Sequence, residues 1–324
     1  MQAWFKHNRA IVLRGAGTLL ALILLIVLLY QSGWDEVLTA VQRISFWNLA
    51  LAFGCIVLSR LCITARWHVL LRSGGVKIPF KDTASLVFTG LFANNFLPTT
   101  VGGDVVRLAG TIQLGYDQAV CLASIAADRV INMVGMCLAA PLGLWQLFTT
   151  PAVGFIIPNL IGRNQVGALQ SVALAGIWEK AWGFLLRTLE SFKLWLKKPS
   201  ALLLALGFAL AHMLFSFSAN YVLIRGLGES LALWKVIGLF SLAYFVSVIP
   251  ISINSYGVQE LTVTFLLSHF GGVSLPVSAT VAVLHRMIMM LVSLPGALTL
   301  PAIMAGMERS RAKLPDPAQE PKKA

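Results

Sequence analysis

The chain has 324 residues, of which 57% are hydrophobic and only 12% are charged. Soluble domains carry about 25% charged residues, so this composition excludes an ordinary soluble protein and indicates an all-α polytopic membrane protein. The formal net charge of +12 does not indicate nucleic-acid binding, because the cations flank apolar segments instead of covering one basic face.

Apolar runs long enough to span a bilayer, roughly 20 residues, recur along the chain. The first, Ile11–Tyr30, follows a basic N-terminus and precedes no signal-peptide cleavage site, so we expect a retained spanning helix. Further spans are predicted at Phe46–Ala65, Gln118–Phe148, Ser200–Ile224 and about Pro276–Met304, with a weaker crossing within Phe155–Leu186. The sequence therefore predicts about six full spans.

Two more apolar stretches, Thr83–Leu97 and Val236–Ile249, are too short to span and end at Pro98 and Pro250. Proline stops a helix, and the Lys and Arg residues follow the positive-inside rule only if each stretch enters the membrane and returns. With that topology both termini are cytoplasmic. We expect two re-entrant hairpins in a multi-pass protein of the bacterial inner (cytoplasmic) membrane.

The predicted inside segments carry most of the cations. One of them holds Arg66, Arg72, Lys77 and Lys81. Another, about 177–199, mixes aromatic residues with cations at helical spacing and is predicted to form an amphipathic helix on the inner membrane face; an ordinary cytoplasmic connector is the alternative. Residues 305–324 are polar and charged, which predicts a disordered basic tail.

The two proline-containing breaks resemble one another. LPTTVGGDVVR begins at Leu97 and IPISINSYGVQE begins at Ile249, and each is followed by a long apolar run with an embedded arginine. Each half has two spans, a short dip and a long span, so an odd number of crossings inverts one copy relative to the other. We predict two inverted membrane repeats, 1–148 and 149–304; chance similarity between apolar segments is the alternative.

Ionisable residues stand inside the predicted spans, where a charge costs about 2.5–3.5 kcal/mol on insertion. They persist when they face a charged partner or a wet cavity. Arg60 is close to the inner end of its predicted span and is expected to extend to the membrane surface. His285 either packs as a hydrogen-bonded core residue or relays protons. The other embedded residues are Asp104, Arg107, Asp128, Arg129, Glu260 and Arg286.

Asp104 and Arg107 are three residues apart, so on a helix they share one face and can pair. The alternative is that Asp104 caps the returning half-helix while Arg107 extends to the membrane surface. Gly102 and Gly103 let backbone N–H groups come close to a ligand, and a helix N-terminus binds anions.

Arg129 and Arg286 lie well inside long spans. A guanidinium binds phosphate oxygens in pairs, so both are candidates for binding a phosphate. The alternative is a structural salt bridge, for instance of Arg129 with Glu260 or of Arg286 with Asp104. Asp128 diverges from its neighbour Arg129 around the helix and is expected to meet a different helix. If Glu260 lies within the membrane, its carboxylate must pair with an arginine or carry a proton. The alternative is that Glu260 caps a helix.

The sequence contains no metal-binding spacing of histidine and cysteine, and no HExxH, P-loop or GxSxG motif. We therefore expect no metal, no cofactor and no catalytic residue, and a protein that is not an enzyme.

The stretch FANNFLPTTVGGDVVR, Phe92–Arg107, resembles the signature F-x-N-x-x-x-P-x-x-x-G-G-D-x-x-R of the lysylphosphatidylglycerol synthase transmembrane-region family, also called flippase-like membrane proteins. IPISINSYGVQE resembles the second signature of that family, with Ser255 in place of the usual first glycine and Gln259 in place of a frequent arginine. The resemblance extends over roughly Ile11–Met304.

The resemblance implies a relative of the flippase half of multiple-peptide-resistance proteins, whose membrane part moves an aminoacylated lipid between leaflets. Only a short tail follows Met304, so we expect no synthase activity. Stand-alone members are proposed to flip other anionic, isoprenoid-linked or glycosylated lipids. We therefore expect a lipid flippase or transporter for an anionic, phosphate-bearing or lipid-linked substrate. The alternatives are an integral-membrane transferase that acts on a lipid-linked substrate and an accessory scaffold of a lipid-modifying enzyme.

The expected partners are membrane lipids with a phosphate-bearing headgroup and no nucleic acid; a lipid-modifying enzyme is a further candidate. We expect the hairpin tips, Pro98–Asp104 and Pro250–Glu260, to approach each other from opposite sides. In this hypothesis the arginines hold the lipid phosphate while the acids balance charge or accept protons. The expected substrate-binding residues are Asn95, Pro98, Gly102, Gly103, Asp104, Arg107, Asp128, Arg129, Pro250, Ser252, Gly257, Glu260 and Arg286.

Overall fold

The computed structural model describes residues 44–96, 102–149, 198–249 and 252–305, together with the single residues 19, 23 and 42. Within these ranges the chain is helical and contains no strand. The α-helices are α1 (Phe46–Ser73), α2 (Phe80–Phe96), α3 (Gly102–Gln113), α4 (Gln118–Thr149), α5 (Pro199–Gly226), α6 (Leu233–Val248), α7 (Val258–His269) and α8 (Leu275–Ser293). A 3₁₀ turn at Ile253–Ser255 precedes α7, and another at Leu294–Leu298 follows α8.

Four described helices are long and apolar enough to cross a membrane. They are α1, α4, α5, and α8 with its 3₁₀ extension, of 28, 32, 28 and 24 residues. Their outward faces carry large exposed apolar side chains such as Leu51, Leu138 and Leu203, which a water-soluble protein does not display in this density. The predicted all-α, multi-pass membrane protein is confirmed in this part of the chain.

Several predicted elements lie outside, or almost wholly outside, the described residues. They are the spans at Ile11–Tyr30 and Phe155–Leu186, the amphipathic helix at 177–199 and the tail at 305–324. The four spans above match the predicted ones, with one difference in length. Helix α1 continues to Ser73, past the end predicted at Ala65, because Arg66, whose charge marked that end, is itself buried in the helix bundle.

Helices α1 and α5 pack antiparallel along their whole lengths. At one end the Lys198 ammonium donates to the Ser73 carbonyl oxygen at 2.6 Å. In the middle the Ser59 hydroxyl hydrogen-bonds His212 Nδ1 at 2.6 Å. At the other end a Cβ added to Gly226 would lie 2.8 Å from the Asn48 amide nitrogen. This pair forms the frame on which the remaining helices are placed.

Helices α2 and α3 form an antiparallel hairpin of 17 and 12 residues. At about 1.5 Å per residue they are shorter than the roughly 20-residue helix that a bilayer requires. Glycines let the two arms touch, since a Cβ on Gly103 would lie 2.3 Å from the Gly90 carbonyl oxygen. The open end is held by Tyr116, whose hydroxyl donates to the Lys77 carbonyl oxygen at 3.2 Å.

Helices α6 and α7, of 16 and 12 residues, form a second hairpin. Its open end is closed by a hydrogen bond of 3.2 Å from the Ser274 backbone N–H to Glu229 Oε1. Near its tip, Asn254 and Ser255 have φ angles of 48° and 56°. This left-handed conformation favours glycine, so the backbone at Ser255 is strained.

The two hairpins meet at their tips. The first follows α1 and the second follows α5, and these two helices are antiparallel, so the hairpins enter the bundle from opposite ends. The Tyr256 hydroxyl of the second hairpin donates to the Asn95 carbonyl oxygen of the first at 2.8 Å. Pro98 and Pro250 themselves lie outside the described residues. The contact between the tips is made by residues near them, Asn95 and Tyr256.

Candidate functional site

Asn95 lies where both hairpins and α8 come together. Its amide nitrogen donates to the Ser293 hydroxyl of α8 at 2.8 Å. Its amide oxygen accepts from the Asn254 side chain at 3.4 Å. This predicted site residue therefore joins the two hairpin tips to a spanning helix.

The first charged cluster surrounds Asp104, the third residue of α3. The carboxylate of Asp104 pairs with Arg107 one turn later, at 3.4 Å, and with Arg129 of α4. The predicted pairing of Asp104 with Arg107 is thus present in the structure. The side chain of Arg129 is 55% exposed, so a charged group at the depth of the bundle remains accessible from outside it.

Asp128 joins this cluster from α4 and meets other helices, as predicted. It accepts from Arg66 Nε of α1 at 2.6 Å and pairs with Arg107 at 3.4 Å. The guanidinium of Arg107 also lies over the ring of Trp67, 3.9 Å from its centroid, a cation–π contact. Arg107 is buried between three helices, so the alternative that it extends to the membrane surface is wrong.

A polar chain connects the first cluster to the second hairpin. Arg66 Nη1 donates to Asn132 Oδ1 at 2.8 Å, and the Asn132 amide donates to the Tyr244 hydroxyl of α6 at 3.1 Å. Two hydrogen bonds and one ion pair therefore connect Tyr244 to Asp128. A shift of the second hairpin would change the hydrogen bonding around Asp128 through this chain.

The second charged cluster surrounds Glu260, the third residue of α7. Its carboxylate pairs with Arg286 of α8 and accepts from the Gly257 backbone N–H at 2.8 Å. Glu260 therefore both caps its helix and neutralises an arginine, so the two alternatives for it hold together. Arg286 also donates to Gln259 Oε1 at 2.9 Å and lies over the Tyr256 ring, 4.9 Å from its centroid.

The two clusters repeat one pattern. In each, an acid at the third position of the helix after the break pairs with an arginine of the next long helix, 25 residues later in the first case and 26 in the second. The arginines are both the twelfth residue of their helices, α4 and α8. The alternative pairings of Arg129 with Glu260 and of Arg286 with Asp104 are wrong, because each half pairs its own acid with its own arginine.

The remaining predicted residues lie at the edges of these clusters. Gly103 is packed against Gly90 and its backbone N–H donates to Asn94 Oδ1 at 2.7 Å, so Asn94, and not Asp104, caps α3. Gly102 is buried beside it. Ser252 is buried near the second tip, and its hydroxyl has no partner among the described groups. Gly257 has a φ angle of 76°, a backbone conformation suited to glycine.

Sequence reasoning missed residues that complete the clusters. Arg66 was assigned to a cytoplasmic basic segment, and the structure corrects this because its guanidinium is buried against Asp128. Asn132 carried a usable signal, since it is four residues after Asp128 and so shares its helix face. Trp67 and Tyr244 are aromatic residues in apolar runs, and Tyr256 lies within the second break; the residue type alone did not mark any of them as a partner of a charge.

Arginine outnumbers acid in this buried region. Among the described residues, five arginines (Arg60, Arg66, Arg107, Arg129 and Arg286) accompany three carboxylates (Asp104, Asp128 and Glu260). In addition, Nε of Arg107 is buried without a partner. The site has a surplus of positive charge and a free N–H donor, which are the properties of an anion-binding site.

The fold and this site define a polytopic helical membrane protein with buried arginine–carboxylate clusters at the junction of two helical hairpins. Comparison with known families assigns the chain to a family of membrane proteins. The sequence pattern of the family described as lysylphosphatidylglycerol synthase TM region matches residues 14–296, and the chain belongs to this family. It is also similar to a UPF0104 membrane protein of Methanothermobacter thermautotrophicus, with 23% identity over 298 residues that cover 79% of this chain and 82% of the relative.

Proposed function

We propose that the protein is a lipid flippase or transporter that moves an anionic, phosphate-bearing or lipid-linked substrate between the leaflets of the inner membrane. The observation that carries the proposal is the surplus of buried arginine at the junction of the two hairpins. A surplus positive charge inside a membrane protein is costly without a counter-ion. A headgroup phosphate would supply that counter-ion while its tails remain in the bilayer.

The placement of the clusters supports transport over static binding. Short helices that meet near the middle of a bundle, entered from opposite ends, are typical of secondary transporters built from inverted repeats with re-entrant segments. The common acid–arginine pattern of the two halves is what such a repeat would produce. In this proposal the two hairpins open the site alternately to the two sides of the membrane.

The residues of the first cluster would exchange partners during transport. In the structure, Arg129 and Arg107 are held by Asp104 and Asp128. A phosphate offers several oxygens to a guanidinium and can replace a carboxylate in the same geometry. Arg129 would be the first contact because its side chain is the exposed one.

The orientation follows from the end that carries the cations. Arg72, Lys77, Lys81 and Lys198 gather at the end of the bundle where α1 ends and α5 begins. By the positive-inside rule this end is cytoplasmic. The first hairpin would then enter from the cytoplasm and the second from the outer side.

The proposal is tested by lipid translocation in proteoliposomes that contain the purified full chain. A fluorescent phosphatidylglycerol in one leaflet should move to the other faster with the wild type than in empty vesicles. Arg129→Ala should abolish this gain, while Arg225→Ala, at the exposed end of α5, should not. Absence of movement for any anionic lipid by a folded wild type would contradict the proposal, and so would a product lipid of changed mass.

A further inference from the structure

Arg60 lies at the depth of the bundle and cannot reach either end of its helix. It is near the middle of the 28-residue helix α1, about 20 Å from both ends at 1.5 Å per residue. The residue is 6% exposed. The expectation that Arg60 extends to the membrane surface is therefore wrong, because α1 is longer than predicted and the side chain points into the bundle.

Arg60 differs in its surroundings from the four arginines of the two charged clusters. Each of the others has a carboxylate within ion-pair distance. Within the described part of the chain, Arg60 has no carboxylate within 4 Å, and its guanidinium donates no hydrogen bond to any described group. Its charge is buried and uncompensated.

Two helices that pack against α1, the helix of Arg60, carry further ionisable side chains. Helix α8 carries His285 and helix α5 carries His212. His212 is already hydrogen-bonded to Ser59. By contrast, Nδ1 of His285 is buried without a partner among the described groups, so a second polar atom in the same region is free.

We propose that Arg60 is the principal anion-binding residue of the protein, and that it binds a phosphate group together with Nδ1 of His285 on the adjacent helix α8. An unpaired buried guanidinium is stabilised by an anion with several acceptor oxygens, and the tautomer of His285 with its proton on Nδ1 would donate a hydrogen bond to the same anion. A phosphate has these oxygens, whether it belongs to a lipid headgroup or is free in solution. The inference rests on the proposed function. It adds a residue, Arg60, that can bind the negative charge of the substrate without first breaking an ion pair with a carboxylate.

The test measures anion binding and thermal stability of the full chain purified in a neutral detergent. The probes are dihexanoyl phosphatidylglycerol and inorganic phosphate, and the readouts are titration calorimetry and the midpoint of thermal unfolding. The variants are Arg60→Met, Arg60→Lys and the control Arg72→Met, an exposed arginine at the end of the same helix.

Arg60→Met should weaken binding of the probe by about tenfold to a hundredfold, the range for loss of a charged hydrogen bond. Without ligand it should also raise the unfolding midpoint, because an apolar side chain of similar length removes an unpaired buried charge. Arg60→Lys should lose about tenfold, since an ammonium lacks the paired N–H donors. Arg72→Met should change neither quantity.

Wild-type affinity in Arg60→Met would overturn the proposal, and so would an unfolding midpoint that falls while binding persists. If Arg60→Met does not fold, Arg60→Lys decides, because unchanged affinity overturns the proposal and a tenfold loss supports it. If the wild type binds phosphatidylglycerol but not inorganic phosphate, the ligand is a lipid headgroup. If it binds both probes equally, the site accepts free phosphate. Either result supports the proposal that Arg60 binds a phosphate group. Absence of binding to the wild type overturns it.

The same variants separate this inference from the proposed function. Translocation that is lost in Arg129→Ala but kept in Arg60→Met would contradict the role of Arg60 and leave the flippase intact. A wild type that binds phosphatidylglycerol through Arg60 but moves no lipid would contradict the flippase and leave the binding site intact.

Discussion

The two charged clusters share one pattern but differ in accessibility. In the first, the side chains of Asp104 and Arg129 are 14% and 55% exposed. In the second, those of Glu260 and Arg286 are 5% and 11% exposed. The first cluster also joins three arginines to two acids, whereas Glu260 has one arginine and caps its own helix. The first cluster is open to a ligand, while the second is a closed structural pair.

The difference in exposure changes the free-energy cost of breaking each ion pair. An exposed ion pair contributes about 0–1 kcal/mol and exchanges partners at little cost. A buried pair that loses one partner leaves an uncompensated charge, which costs about 3–5 kcal/mol. The same acid–arginine pattern is thus suited to substrate exchange in one hairpin and to anchoring in the other. The following substitutions test this division, from the largest expected effect to the smallest.

Asp128→Asn should be the most destabilising change, because it leaves the buried Arg66 without a carboxylate partner and removes one of the two carboxylates that pair with Arg107. We expect a loss near the upper end of about 3–5 kcal/mol, measured by chemical unfolding in detergent with circular dichroism. Asp117→Asn, at the exposed start of α4, is the control and should change stability by less than about 1 kcal/mol. Equal effects of the two substitutions would contradict the shared role of Asp128.

Glu260→Gln should cost about 3 kcal/mol, since Arg286 loses its counter-charge while glutamine can still accept from the Gly257 N–H. Adding Arg286→Gln should recover part of this loss, because the uncompensated charge is then removed as well. The measurement is a double-mutant cycle of unfolding free energies. A double variant no more stable than Glu260→Gln would show that the pair is not the anchor of the second hairpin.

Arg129→Ala should lower stability by only about 0–1 kcal/mol, because its pair with Asp104 is the exposed one. The same substitution should nevertheless abolish translocation of phosphatidylglycerol. Thermal unfolding and the proteoliposome assay on one preparation separate the two effects. A large stability loss, or transport at the wild-type rate, would remove the distinction between the open and the closed cluster.

Substitutions of Ser255 should change the stability of the protein least. Ser255→Gly relieves the left-handed backbone strain but loses the 2.6 Å hydrogen bond to the Ser247 carbonyl oxygen, so the two changes nearly cancel. Ser255→Ala keeps the strain and loses the bond, so it should be less stable than Ser255→Gly by about 1 kcal/mol. Unfolding midpoints of the two variants provide the comparison. Greater stability of Ser255→Ala would show that the turn is not strained.

Local signals in the sequence predicted the parts of this site that depend on local structure. The prolines and glycines indicated both breaks, and the three-residue spacing of Asp104 and Arg107 predicted their pairing. The embedded charges indicated where a site would form, because a membrane-spanning helix does not tolerate them without a reason. Helix length was less certain, since the charge on Arg66 looks the same in a buried pair as in a loop.

The partners of the embedded charges were not predictable in this way. The pairing of Arg129 with Asp104 depends on how α3 packs against α4. The isolation of Arg60 depends on the antiparallel packing of α1 and α5. Neither arrangement has a signal within one segment of sequence. The cap on α3 also comes from Asn94 in the other arm of the hairpin, so only the packed pair of helices shows it.

We propose that the surplus of buried arginine holds a phosphate-bearing lipid. Native mass spectrometry of the protein extracted in mild detergent tests it most directly, because a retained lipid is identified by its mass. We predict that the wild type and Arg72→Met carry a phosphate-bearing lipid and that Arg60→Met and Arg129→Ala carry much less. A wild type that retains only neutral lipids, or variants that retain the same anionic lipid at the wild-type level, would contradict the claim.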